Sequence, residues 1–407
     1  LKYLFVHQNY PGQFLHLLLH LQANQDNQLV FITETNVNTI PGVQKFCYQK
    51  PEFDTFSSED VMEFEMATRR ARIVQHVART IRDLGFTPDI IIGHHGWGEL
   101  LNLQDVWPGV PILGYFEFYY HDRGLDVGFD REFPALPGGL ARVRVKNAVN
   151  LLALNNPGHG QTPTQFQLST YPDWAQKKIT LLREGVYLNM ACPKPELRSE
   201  VMDLDGFRIE PTDTLVTYVA RDLEPYRGFH TMMRALPRLH RLRGNLKVVM
   251  VGGDGVSYGA RLNDGTTWRE FFMREVGGVI DQSRVHFPGR VPYDTFLSLL
   301  QRSDAHVYLT YPFVLSWSLR EAMACGCAIV ASDTEPVTEF VKHRQTGYIV
   351  RFPDALALAD GVAEVLENQK LNARMRRNAR AWAEKNLSMP HYLAEYEQLI
   401  ARLVAAR

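Results

Sequence analysis

The stretch YLTYPFVLSWSLREAMACGCAIVAS, Tyr308 to Ser332, decides how the fold is read. An apolar strand runs into Tyr311-Pro312, an apolar loop follows, and a helix opens with Arg320 and Glu321 in its first turns. A second apolar run, CAIVAS (327–332), then starts another strand. Strands that are apolar throughout, separated by helices, belong to a parallel sheet covered on both faces. Ligands of such sheets gather at the loops that follow the strands. A single carboxylate in an almost wholly apolar turn therefore has two readings. Glu321 can accept hydrogen bonds from the vicinal hydroxyls of a ribose, with the amides near Ser316, Trp317 and Ser318 facing a phosphate. Alternatively it is a helix-start glutamate favoured by the helix dipole, a term of about 0.3–1 kcal/mol.

The same alternation extends in both directions. Toward the C-terminus, GYIVRF (347–352) is a further strand, and the chain ends in helices over roughly 354–385 and 390–404. Upstream lie the strand candidates TLVTYVA (214–220), LKVVMVGG (246–253), RVHFPG (284–289) and AHVYLTY (305–311). The first half repeats the scheme. KYLFVH (2–7), QLVFIT (28–33), TPDIIIGHH (87–95), VPILGYFEF (110–118) and NLLALN (150–155) read as strands, and KKITLLRE (177–184) closes the half. FLHLLLHLQ, 58–85, GGLARVRVKNAV and PTQFQLS read as helices. Between the halves, residues 189–213 turn to proline, charge and no clean period, so a linker is placed at 191–212. The expectation is two doubly wound domains facing across a cleft, residues 1–190 and 213–388, with a helix over 389–407 packing back on the first.

Composition narrows the function classes. The chain has 407 residues, 45% apolar and 22% charged, which suits two globular domains and excludes wholesale disorder. A formal net charge of −1 leaves no nucleic-acid footprint in the total. The four cysteines are scattered and suggest a reducing compartment rather than a disulfide framework or a zinc site. No run of 18 apolar residues and no secretory segment is read, and the missing initiator methionine suggests a trimmed terminus. The expected setting is cytoplasmic, with contact at the inner face of a membrane left open.

The turn VARDLEPYRGFHTMM places Arg221 just past a strand and Arg227 at the start of the next helix. Two guanidiniums flanking a strand-to-helix turn suit phosphate oxygens, and two surface arginines near a turn are the plainer reading. The aromatic GYFEFYYHD (114–122) could stack ligand rings or fill a wall between the domains. Arg69, Arg70, Arg72, Arg79 and Arg82 share a helical pattern, either a solvated basic face or a surface for anionic lipid.

These stretches, with VHQNYPGQF near the start, TPTQFQLSTYPDWAQKKITLLREGV before the linker, VGGDG, and VHFPGRVPYDTFLSLLQRSDAHVYLTYPF, occur in an order that resembles retaining glycosyltransferase family 4 of the GT-B fold. The resemblance covers nearly the whole chain. It implies a nucleoside-diphosphate sugar as donor and a saccharide, lipid-linked or small-molecule acceptor. It implies that Arg221 and Arg227 grip the diphosphate, that Glu321 binds the ribose, and that the Ser316, Trp317 and Ser318 amides meet the phosphates. Gly12 would let the backbone approach the phosphates, and Val291 in the PGRV turn (288–291) would line the base pocket. No metal and no other cofactor is expected, because the two cations and the helix N-termini would stabilise the departing diphosphate.

Three positions depart from the family pattern. Phe313 stands where a glutamate usually contacts the donor sugar, which suggests a sugar face read by an apolar ring, as in a deoxy sugar. Glu117 ends the strand ILGYF where many relatives carry histidine, and it is the nominated base or electrostatic stabiliser. The turn EGVY (184–187) lacks the Asp of the usual pattern at Tyr187. His95 and Tyr119 are placed on the acceptor side. Asp203-Leu-Asp205 is taken as a chance match to a metal-binding triplet. Besides the retaining, metal-independent transferase, two alternatives stay open, a weak or inactive binder of sugar nucleotides and a sugar-nucleotide epimerase.

Overall fold

The computed structural model describes residues 1–407 except 53, 54, 136, 137, 157 and 407. The chain forms two compact units. The first comprises Leu1–Val127, Ala135–Glu184 and Pro390–Arg407; the second comprises Gly128–Pro134 and Gly185–Met389.

In the first unit the strands are β1 (Lys2–Val6), β2 (Gln28–Glu34), β3 (Val43–Tyr48), β4 (Ile90–His94), β5 (Ile112–Tyr115), β6 (His159–Thr162) and β7 (Ile179–Leu181). They form one parallel sheet in the order β3-β2-β1-β4-β5-β6-β7. The central strands are buried along their whole length, as their uninterrupted apolar sequences require. One face of the sheet packs Leu4, Val6, Ile32 and Ile91 against Val74, Ala78 and Ile81 of the helix Met62–Asp83.

One strand expectation is corrected here. NLLALN is helical, within Ala148–Asn155, and not a strand. Asn147 and Asn150, one helical turn apart, both reach the segment after β5: Asn147 Oδ1 accepts from the Tyr120 amide at 2.8 Å and Asn150 Nδ2 donates to Phe118 O at 3.0 Å. Only helical spacing puts both side chains on one face. The strand of that region is the polar HGQT, buried at Gly160, Gln161 and Thr162 between β5 and β7.

The second unit contains a hairpin, β8 (Met202–Leu204) and β9 (Phe207–Ile209). Its main strands are β10 (Thr214–Asp222), β11 (Leu246–Gly253), β12 (Val285–Gly289), β13 (Ala305–Tyr308), β14 (Ile329–Ser332) and β15 (Tyr348–Val350). These make a parallel sheet in the order β12-β11-β10-β13-β14-β15. The order reverses direction at β10, so the loops after β10 and β13 flank the crevice where such sheets bind ligands.

The hairpin corrects the linker. Residues 191–212 are part of the second unit, because Leu204 and Ile209 bury against Leu215, Val249, Val251 and Leu299. Asp205 and Gly206 both take positive φ, the two-residue turn that matches strand twist. Asp203 Oδ1 accepts from the Gly206 amide at 2.7 Å, so this carboxylate serves the turn.

The first domain was also expected to be continuous to residue 190. Instead Gly128–Pro134 belongs to the second unit. Phe129 packs on Tyr311 and Phe352 with ring centroids 5.2 and 5.4 Å apart. Phe133 packs on His230 and Trp268. Asp130 is buried 3.0 Å from His230 Nε2, and Glu132 pairs with Arg234. The final helix, Met389–Ala405, lies with the first unit from Pro390 onward.

Candidate functional site

The second unit gathers most of the expected donor residues. Arg221 lies near the end of β10, exposed, with no hydrogen bond or ion pair to a described residue. Its neighbour Asp222 is buried and salt-bridged to Arg290 at 2.8 Å. The turn Pro225–Arg227 then leads into the helix Phe229–Leu242 through Gly228. Gly228 has φ +70°, and a Cβ there would stand 2.4 Å from Leu309 Cβ. Glycine is thus required twice, for the left-handed backbone and for the close pass of β13's exit.

Arg227 sits in this turn with 5% of its surface exposed. Its Nη1 donates to Thr310 Oγ1 at 2.6 Å and to Val314 O at 3.0 Å, tying the β10 loop to the loop after β13. The Tyr258 ring lies against the guanidinium, 4.8 Å from Cζ to centroid. Phe313 is next to Val314 and buried, its ring 5.3 Å from Tyr226 and 5.2 Å from Tyr258.

The helix Trp317–Ala324 starts at the cap Ser316. The Ser316 amide donates to the Tyr308 hydroxyl at 2.8 Å, and Ser316 Oγ accepts from the Ser318 amide at 3.3 Å. Of the three amides expected to face phosphate, those of Ser316 and Ser318 therefore already have partners inside the unit. One turn on, Glu321 Oε1 accepts from the Tyr293 hydroxyl at 2.8 Å. Burial pushes the Glu321 carboxyl up to about 7, against the opposing influence of Tyr293 and Arg320. Tyr293 belongs to the segment just after the PGRV turn, so that turn and Glu321 are neighbours. Val291 itself is partly buried against the cluster of Leu204, Ile209 and Leu215.

The first unit carries a separate cluster at the C-terminal ends of β1, β4 and β5. His94 Nδ1 accepts from the Gly96 amide at 2.9 Å, which leaves Nε2–H toward Glu117 Oε2, 3.6 Å away. The His94 ring stacks on Tyr115 and Trp97, and meets His7 edge-on at 5.4 Å. His7 Nδ1 accepts from the Asn9 amide at 2.8 Å. Burial, and then the nearby His94, push His7 down to about 3, so it stays neutral. Burial alone would raise the Glu117 carboxyl, but His94, and then Lys146, bring it below the ordinary range. Gln167 Nε2 donates to Glu117 O at 2.7 Å and fixes its backbone. Gly12 has φ +57°, and a Cβ there would stand 2.9 Å from His7 Nδ1. It thus backs the histidine cluster from the turn after β1.

His95 is corrected. Its ring is buried against Phe116 at 4.6 Å, burial pushes it down to about 3, and it lies in the core rather than open to an acceptor. Tyr119 packs on His121 and Tyr171. The sequence reading assigned no site role to His7 and His94 in this unit, nor to Tyr258 and Tyr293 in the other. His7 and His94 stand at strand ends, which was the available signal. Among the described residues no group of three or more His, Cys, Asp or Glu side chains could hold a metal ion.

Residues 25–191 match the family described as Glycosyl transferase family 4 group, and residues 205–382 match Glycosyl transferases group 1. Glycogen synthase of Mycobacterium tuberculosis is 30% identical over 349 residues, 82% of this chain and 73% of that protein. With the first curated relatives the match spans about a third of their length. Among solved structures, sucrose-phosphate synthase from Thermosynechococcus elongatus aligns over 100% of both chains with a TM-score of 0.77 at 16% identity. Anabaena HepE in complex with UDP and glucose aligns over 98% of this chain and 99% of that one, with a TM-score of 0.67 at 17% identity. The two parallel-sheet units and these matches agree: the chain belongs to the family 4 glycosyltransferases of the GT-B fold.

Proposed function

We propose that the protein transfers a sugar from a nucleoside diphosphate to a hydroxyl acceptor with retention of configuration and without a metal ion. The observation that carries this reading is in the second unit. An exposed, unpaired Arg221 and the buried Arg227 bracket one strand-to-helix turn, and Glu321 follows the adjacent strand. A diphosphate leaving group takes the electron pair of the broken glycosidic bond, and fixed cations at that position stabilise it where a metal otherwise would. Glu321 accepts from the ribose hydroxyls in place of Tyr293. The acceptor hydroxyl attacks on the face from which the diphosphate departs, and its proton passes to a donor phosphate oxygen. Glu117, charged and oriented by His94, stabilises the oxocarbenium-like state. The structural likeness to HepE, solved with UDP and glucose, supports a nucleotide-sugar donor. The acceptor class stays as broad as saccharide, lipid-linked or small molecule. No described helix is long and apolar enough to cross a membrane. A peripheral contact would use the exposed Arg72 and Arg79.

Calorimetric titration with UDP, GDP, ADP and TDP tests the reading. One of them binds, and at a hundred times its dissociation constant it adds about 2.7 kcal/mol of stability. The affinity depends on pH through Glu321. In the free protein this carboxyl keeps its proton from about 4.5 to about 7, a window in which the unfolded chain has lost it. The group's contribution to stability is therefore present below 4.5 and lost as pH rises through about 7. Nucleotide binding needs the charged form, so affinity rises about tenfold or more from pH 5.5 to 7.5 and then levels. In Glu321→Gln the affinity is lower and this rise is absent. A wild-type affinity that is flat across the range contradicts the ribose role.

A weak sugar-nucleotide binder is the second reading, favoured by the internal bonds of Arg227 to Thr310 and Val314. Release of labelled sugar from the donor, with hydrolysis counted, separates the two.

A further inference from the structure

Tyr258 lies on the loop between β11 and the helix Trp268–Val276, a region the sequence reading left without a role. Its ring is 37% exposed, yet the backbone beneath it is anchored with unusual economy. Three consecutive amides, Ser257, Tyr258 and Gly259, donate to the carboxylate of Glu224, at 3.1 Å, 3.2 Å and 2.8 Å. Glu224 is fully buried, and the three amides of this loop satisfy its carboxylate oxygens. Ser257 Oγ also donates to Asp222, and Trp268 Nε1 donates to Ala260 O at 3.0 Å. The loop is thus pinned on both sides of Tyr258 and to the β10 exit itself, since Glu224 is three residues before Arg227.

That anchoring fixes where the ring goes. It lies over the Arg227 guanidinium at 4.8 Å. It also meets Tyr226 at 5.6 Å and Phe313 at 5.2 Å. Tyr226 in turn touches Tyr311 at 4.6 Å, and its carbonyl accepts from the Tyr311 amide. The planar cation is therefore held on one edge by Thr310 Oγ1 and Val314 O and covered on a face by an aromatic ring. An arginine side chain has many rotamers to lose when it binds an anion. Here the edge bonds and the ring remove that freedom before any ligand arrives, and the ring's negative face favours the cation.

We propose that Tyr258 is a positioning residue for Arg227, held in place by the Glu224-anchored loop so that the guanidinium is ordered and partly dehydrated for a nucleoside diphosphate. The proposal rests on the reading of Arg227 as a diphosphate-binding residue. It predicts an effect on donor binding more than on the chemical step, and an effect that operates only through Arg227.

The experiment measures binding of UDP, GDP, ADP and TDP by calorimetry, donor KM and kcat, and melting temperature, for wild type, Tyr258→Ala, Tyr258→Phe, Arg227→Lys and the double variant Tyr258→Ala with Arg227→Lys. Tyr258→Ala is expected to weaken the binding nucleotide and raise donor KM about tenfold, with kcat changed less than threefold and the protein fully folded at the assay temperature. Tyr258→Phe, which keeps the ring, stays within about threefold of wild type. Removing the ring in the Arg227→Lys background changes binding little, because the planar partner is already gone. Several results overturn the proposal: wild-type binding in Tyr258→Ala, an equal loss in Tyr258→Phe, a loss undiminished in the Arg227→Lys background, or a loss matched by the unfolded fraction at the assay temperature. If Arg227→Lys and Arg221→Ala both bind as wild type, the diphosphate reading fails and takes this proposal with it. If those two weaken binding and Tyr258→Ala does not, only the role of Tyr258 is lost. Absence of binding by any of the four nucleotides to the wild-type protein overturns both.

Discussion

Arg221→Ala combined with Arg227→Lys lowers kcat/KM for the donor by about 10³-fold or more, while the protein remains folded. The magnitude follows from the loss of one charged donor and the misplacement of a second at a developing diphosphate, where a single such group is worth about 10²–10³ in rate. Arg221 is exposed and has no described partner, so its removal leaves nothing unpaired inside the protein. Arg227 is different. It is buried, and its Nη1 ties Thr310 to Val314, so lysine is the substitution that keeps a cation without cutting a cavity. Steady-state kinetics with a labelled donor, beside thermal denaturation, reads the result. An activity within threefold of wild type would place the diphosphate elsewhere.

The second large effect belongs to the other unit. Glu117→Gln lowers kcat by about 10²–10³-fold with nucleotide affinity unchanged, because the amide has the same shape but does not stabilise positive charge. The His94 imidazole is positioned for this carboxylate. Its Nδ1 is occupied by the Gly96 amide, so the donor nitrogen is the one facing Glu117. His94→Ala should therefore reproduce much of the Glu117→Gln loss, and the double variant should fall little further than either alone. Calorimetry and kcat measured on the same preparations check this. A loss of nucleotide affinity matching the loss of kcat would assign Glu117 to binding instead.

How much of this could be read in advance varies by element. The strands of the second unit were legible because both faces of β10, β11, β13 and β14 are covered, which makes long apolar runs bounded by Gly, Pro or charge. The same rule misled at NLLALN, a half-buried helix whose exposed Leu151 and Leu152 make it as apolar as a strand, so that only Asn147 and Asn150 betray the turn. It also hid β6, whose polar HGQT is acceptable in the sheet because it is enclosed by neighbours rather than by its own apolarity. The Asp205-Gly206 turn was a stronger signal than the charge around it, and it marks the hairpin that replaced the expected linker.

In the candidate site, the places of Arg221, Arg227 and Glu321 after strands left a plainer surface reading equally open, and only the family resemblance singled them out as donor residues. The histidines were harder. Adjacent His94 and His95 point to opposite sides, and nothing local tells which side is the core when both faces of a strand are buried. Tyr258 lies outside every regular element. Its contact with Arg227 depends on Glu224 reaching across to another loop, a pairing 34 residues apart in the chain. The segment Gly128–Pro134 was assigned to the wrong unit for a similar reason. Two phenylalanines and a buried aspartate within the five residues 129–133 look like an ordinary loop until their partners Tyr311, Phe352, His230 and Trp268 are in place.

The most direct test is a crystal structure of the protein with the nucleoside diphosphate that binds tightest. The account predicts diphosphate oxygens within hydrogen-bonding distance of the Arg221 and Arg227 guanidiniums, and the ribose hydroxyls on Glu321 with Tyr293 displaced from it. A nucleotide seated away from the β10 and β13 loops, or a ribose that leaves the Tyr293–Glu321 hydrogen bond intact, would contradict it.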